Sequence, residues 1–143
     1  MKKIILALAA ILILSTSCDI FSSADSEADY VGKWIQTIAS IPTAESYYEL
    51  TITSDSYTVS EVTKVLSSGY IDSFEMEKGT VSERDFAELI FTKTHERDAS
   101  TNELLQILTQ NQVSRTIVWT RTGNTLTLVD GTNVHTNGDF SKD

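Results

Sequence analysis

Residues 112–129 read Gln112-Val113-Ser114-Arg115-Thr116-Ile117-Val118-Trp119-Thr120-Arg121-Thr122-Gly123-Asn124-Thr125-Leu126-Thr127-Leu128-Val129. Val113, Ile117 and Trp119 alternate with Ser114, Thr116 and Thr120. Leu126 and Leu128 alternate with Thr125 and Thr127. Such alternation marks a strand with one buried and one wet face. Gly123-Asn124 supplies a two-residue turn suited to the twist of a hairpin. Strand, tight turn, strand: the stretch specifies antiparallel β structure.

The same period continues upstream. Glu45–Ile52 puts Ser46, Tyr48, Leu50 and Ile52 on one face and Glu45, Tyr47, Glu49 and Thr51 on the other. In Tyr70–Lys78, Tyr70, Phe74 and Met76 oppose Ser73, Glu75 and Glu77, which places both glutamates on a wet outer face. Turns are expected at Ser54-Asp55-Ser56, Ser67-Ser68-Gly69, Ser82-Glu83-Arg84-Asp85 and Asp130-Gly131. Strands are predicted near 31–39, 46–53, 57–66, 69–81, 86–95, 113–122 and 125–130. Pro42 falls in the first connection, where it breaks no ladder. Glu103–Leu108 has helical spacing, with Ser100-x-x-Glu103 as a capping box, or it is an eighth strand. A closed barrel needs that strand, and the reading favours it. His95-Glu96-Arg97-Asp98 reads as a solvated loop. Residues 132–143, with His135, read as a frayed polar tail.

The N-terminus is an address. Met1-Lys2-Lys3 is a short positive start, Ile4–Leu14 an unbroken apolar run, and Ser15-Thr16-Ser17 a small-residue site before Cys18. The run is shorter than the ~20 residues that span a bilayer. Residues 1–17 are therefore expected to be a cleaved signal peptide. Leu14-Ser15-Thr16-Ser17-Cys18 resembles a bacterial lipobox. That resemblance implies that Cys18 becomes the first residue and carries a diacylglyceryl thioether and an N-acyl chain. Family lipoboxes place Leu three residues before the Cys, where this chain has Ser15. A simple cut after Ser17 would instead leave a lone thiol at the start of an exported protein. Several acyl chains suffice for stable anchoring. Residues 18–29 read as the anchored Cys and a flexible acidic tether.

Composition narrows the function classes. The chain has 143 residues, one Cys and a net charge of −9. Losing Lys2 and Lys3 with the signal brings the charge to −11, since every acid lies beyond Cys18. Such a body is a poor partner for nucleic acid, which needs Lys and Arg against phosphate. It is also repelled by anionic headgroups, so the lipid must do the anchoring. One Cys excludes an internal disulfide framework. No G-x-S-x-G, phosphate-cradling glycine loop or H-E-x-x-H occurs. No enzymatic activity, metal or cofactor is expected.

Gly32-Lys33-Trp34, Tyr48-Glu49-Leu50-Thr51-Ile52 followed by Asp55-Ser56-Tyr57-Thr58, Gly79-Thr80-Val81-Ser82, and Gly123-Asn124-Thr125-Leu126-Thr127-Leu128 stand in an order that resembles the lipocalin-like domains of small bacterial lipoproteins. The T-D-x-Y signature of lipocalins is absent. The resemblance implies an all-β, up-and-down antiparallel β-barrel of about eight strands over residues 30–131. It also implies an apolar ligand cavity. An eight-strand barrel is just wide enough for its own side chains or one small guest.

Tyr48, Tyr57, Tyr70, Phe74 and Trp119 are the candidate ligand-lining residues. Trp34 is the expected barrel plug, and Arg121, ahead of Arg115, is expected to cap its ring by a cation–π contact. Two functions follow: a lipid-anchored envelope lipoprotein binding an apolar small molecule or lipid in the barrel, or an envelope interaction module with a filled barrel. Its membrane, periplasmic or surface face and oligomeric state are left open. Replacement Cys18→Ala should release the protein from the membrane and abolish incorporation of radiolabelled fatty acid. A membrane-bound variant beside an unlabelled wild type would refute the anchor.

Overall fold

The structure, a computed structural model, describes residues 28–143 except Phe86. The expected signal peptide 1–17, Cys18 and the tether up to residue 27 lie outside the described residues. Among the described residues nine strands follow in order: β1 Gly32–Ile41, β2 Ala44–Ile52, β3 Ser56–Val65, β4 Ile71–Asp85, β5 Glu88–Arg97, β6 Leu104–Gln106, β7 Ser114–Thr122, β8 Thr125–Val129 and β9 Gly138–Lys142. All seven strands read from the sequence are present. All pairings are antiparallel. Hydrogen bonds ring through eight strands, β1-β2-β3-β4-β5-β7-β8-β9 and back to β1. The architecture is all-β and barrel-like, an up-and-down meander closed on itself, which pairs edges that would otherwise invite aggregation.

The eighth ring strand is not the one expected. β6 is three residues long and lies against Glu96 on β5, outside the ring. A 3-10 turn at Thr109–Asn111 follows it. The ring is instead completed by β9, from the segment read as a frayed tail. Phe140 is fully buried there, opposite Leu126, and anchors the strand. One aromatic in Gly138-Asp139-Phe140-Ser141-Lys142 is too short a pattern to display a period. The seam with β1 is correspondingly brief: Trp34 pairs with Lys142 and Ile35 with Ser141. Two further segments expected as turn or loop lie in strands. Ser82–Asp85 continues β4, and His95–Arg97 belongs to β5.

A bulge decides which residues of β4 face inward. Ser60 pairs with Glu75 and Val59 with Glu77, so Met76 is the extra residue. An extra residue inverts the phase of every side chain beyond it. Phe74 lies on the face read as buried, but after the bulge the inner face carries Glu77, Gly79 and Val81. The expectation of a wet outer face thus holds for Glu75 and fails for Glu77. Gly79 has no room for a side chain: a Cβ there would lie 2.0 Å from the Thr92 carbonyl oxygen and 2.8 Å from the Tyr57 ring.

Trp34, Leu50, Ile52, Tyr57, Phe91, Leu126 and Phe140 pack as one core. Trp34 is wholly buried and donates its indole N–H to the Tyr30 carbonyl at 2.9 Å. The Arg121 guanidinium lies 5.6 Å from the Trp34 ring centroid, and Lys142 Nζ lies 5.8 Å away. Arg121 also donates to the Asp29 and Gly123 carbonyls, tying the incoming chain to the β7–β8 hairpin. Trp34→Ala should cost about 3–5 kcal/mol, and Arg121→Ala clearly less, in urea melts. A Trp34→Ala midpoint equal to that of wild type would make the ring independent of its central aromatic.

Candidate functional site

Above the apolar core, the ring encloses charge. Arg115 stands on the inner face of β7, in phase with Ile117, and its side chain is only 10% exposed. It donates from Nη2 to Glu77 Oε1 at 3.0 Å and from Nε to Asp130 Oδ2 at 3.0 Å. Glu77 is 2% exposed. Its Oε1 also accepts from the Tyr57 hydroxyl at 3.1 Å, and its Oε2 from Asn133 at 2.8 Å, while Lys93 Nζ lies 3.2 Å from Oε2. Asp130 accepts from Thr136 at 2.6 Å and from the Thr132 hydroxyl at 2.8 Å. Unpaired buried charges are costly, and every charge in this group has a partner. The group binds β4, β5 and β7 to the β8–β9 connection, which buries Thr136.

Burial alone pushes the Glu77 carboxyl up, but the Arg115 and Lys93 charges, with bonds from Arg115 and Asn133, hold it below its ordinary value. Burial likewise opposes ionisation of Asp130; bonds from Thr136 and Thr132 and the Arg115 charge overcome it. Burial, followed by the Glu77 charge, pushes the Tyr57 phenol far up, so it remains a neutral donor. Chemically, the arrangement is a satisfied ion cluster that locks strands together.

A cleft of about 380 Å³ opens beside the cluster, lined by Lys93, Glu96, Ile107, Asn111, Val113, Arg115, Thr132 and Asn133. Ammonium, carboxylate, guanidinium, amide and aliphatic groups meet there, with the Lys93 ammonium 2.8 Å from Glu96, a setting for a small polar molecule with an apolar edge. A second pocket, of about 480 Å³ and mainly apolar, lies at the opposite end between Ala28–Lys33 and Thr51–Ser54.

The five residues expected to line a cavity go to separate neighbours. Tyr57 is buried and stacks on Phe91, ring centroids 4.4 Å apart. Tyr48 meets His135 edge-on at 4.7 Å. Phe74 lies under Arg97, 5.1 Å from the guanidinium. Trp119 packs edge-on to Tyr30 at 5.3 Å. Tyr70 is 62% exposed, because it precedes the start of β4 and stands in a turn rather than in the interior. The ion cluster was missed by the sequence reading, although Arg115 shares the parity of Ile117 and Trp119. An arginine in an apolar phase requires a buried carboxylate, and the Met76 bulge hid Glu77.

Arg115→Leu should cost about 3–5 kcal/mol, by leaving Glu77 and Asp130 without their shared cation. Both carboxyls have folded-state pKa values below their unfolded ones. Their stabilisation is complete above the ordinary carboxylate range and is lost as pH falls through the folded values. The melting temperature of the wild type should therefore fall below about pH 4, and that of Arg115→Leu should fall less steeply. Equal acid profiles would remove the cluster from the account. Comparison of the chain with protein-family models, curated proteins and solved structures found no match.

Proposed function

We propose that the chain is a lipid-anchored lipoprotein of the bacterial envelope. Its lipocalin-like ring serves as a rigid interaction module and does not carry a guest in its interior. The observation that carries this reading is the set of buried, mutually paired side chains inside the ring. Core side chains pack toward one end, and the Glu77–Arg115–Asp130 cluster is paired toward the other. A guest between them would have to displace charges that are paired within the protein, at a cost of several kcal/mol. Recognition is then left to the ends of the ring. The Leu14–Cys18 run supports the anchor, and the acidic body assigns attachment to the lipid.

A second reading keeps an apolar small molecule or lipid as ligand, at the end of the ring. The pocket walled by Tyr30, Val31 and Ile52 favours it. Native mass spectrometry of residues 19–143, made in the native host, separates the two. The first reading predicts the mass of the bare chain. A co-purified lipid, lost when Val31→Glu places a charge in that pocket, would overturn it in favour of the second.

A further inference from the structure

The two ends of the ring differ in what they expose. The turns at the end where the chain enters carry Ser54-Asp55 and Gly123-Asn124. At the other end the β1–β2 and β3–β4 hairpins project side by side, and Leu66 N–H donates to the Thr43 carbonyl at 2.9 Å to join them. On this double tip Ile38, Ile41, Leu66, Tyr70 and Ile71 are between 43% and 62% exposed. The tip is also free of charge. Residues 34–44 and 65–71 contain no Asp, Glu, Lys or Arg, in a chain where such residues make up 22%. The nearest charges are Glu45 and Lys64, which face each other across the ladder and offset one another, and Asp72, exposed on β4 just beyond Ile71. The turn is held in place: Val65 N–H donates to the Tyr70 carbonyl and Gly69 N–H to the Val65 carbonyl, with Gly69 at φ +69°.

We propose that this double-hairpin tip inserts into the interface of a lipid surface of low net charge. Three features select that partner. The apolar side chains sit on projecting turns, a convex shape that enters a fluid interface. Tyr70 offers a ring with a polar end, as favoured at the boundary of headgroups and acyl chains. The acidic body disfavours an anionic surface, while the uncharged tip brings no charge to desolvate. Ala28 and the tip lie at opposite ends of the ten-residue β1, about 30 Å apart at the rise of a strand. An anchor at Cys18 and a tip in lipid therefore make contacts at opposite ends of the domain. The inference does not depend on the anchor.

The test uses residues 28–143, within which the ring and its core close. Co-sedimentation with phosphatidylcholine vesicles should capture the wild type, and vesicles enriched in phosphatidylglycerol should capture less. The double variant Ile41→Ser/Tyr70→Ser, with an unchanged circular dichroism spectrum and melt, should bind phosphatidylcholine at least about tenfold more weakly. In Tyr70→Trp, the added indole emission should shift to the blue when vesicles are mixed in. Absence of wild-type binding, or equal binding by the double variant, would overturn the proposal. So would self-association through the same residues without vesicle binding, which would make the tip a contact between copies of the chain.

Discussion

The ion cluster around Arg115 is the constraint on which the interior depends. A ring of eight strands is just wide enough to be filled by its own side chains or to hold one small guest. In this chain one half is closed by Trp34, Phe91, Phe140 and their neighbours. Toward the other end a guanidinium is held between Glu77 on β4 and Asp130 just beyond β8. Replacing a buried pair with apolar groups often costs nothing, whereas removing one partner costs a great deal. The cluster therefore specifies more than it stabilises. Only one register of β4 against β3 and β5 delivers Glu77 to Arg115. Met76, by bulging, and Gly79, by admitting the Thr92 carbonyl, set that register.

The same cluster explains the shape of the loop end. Asn133 and Thr136 donate to Glu77 and Asp130, so the β8–β9 connection is drawn into the ring and His135 is set against Tyr48. β9 can then run back beside β8 and reach β1. The closing seam pairs only two residues of β1, Trp34 and Ile35. Trp34 therefore anchors both the core and the seam. Beyond Ile35, β1 and β2 continue into the hairpin whose tip, with that of β3–β4, exposes the uncharged apolar surface.

Much of the ring was legible because period-two alternation survives wherever a strand is regular. Leu50 and Ile52 on β2, and Leu126 and Leu128 on β8, are buried as their parity requires. The reading failed where a single event reverses or hides parity. Met76 inverts the phase of β4, so Glu77 was placed outside. Gly138–Lys142 has one apolar residue, so its pairing with β8 and β1 had no local signal. Tyr70 followed the parity of Phe74 but stands in a turn. The site was less legible than the fold, because it assembles from four stretches far apart in sequence, at Tyr57, Glu77, Arg115 and Asp130. Each of these has an unremarkable local environment, and only the closed ring brings them together.

A fully paired charged cluster lies inside the ring, and an apolar guest beside the core would have to displace it. Carbon-detected magnetic resonance titration of the Glu77 carboxyl tests it most directly. The account predicts a carboxylate that stays ionised through the ordinary glutamate range and protonates only below it, as Arg115 and Lys93 require. Titration at or above the ordinary value would mean that Glu77 is buried without its cations or lies in solvent. Either result would contradict the paired cluster.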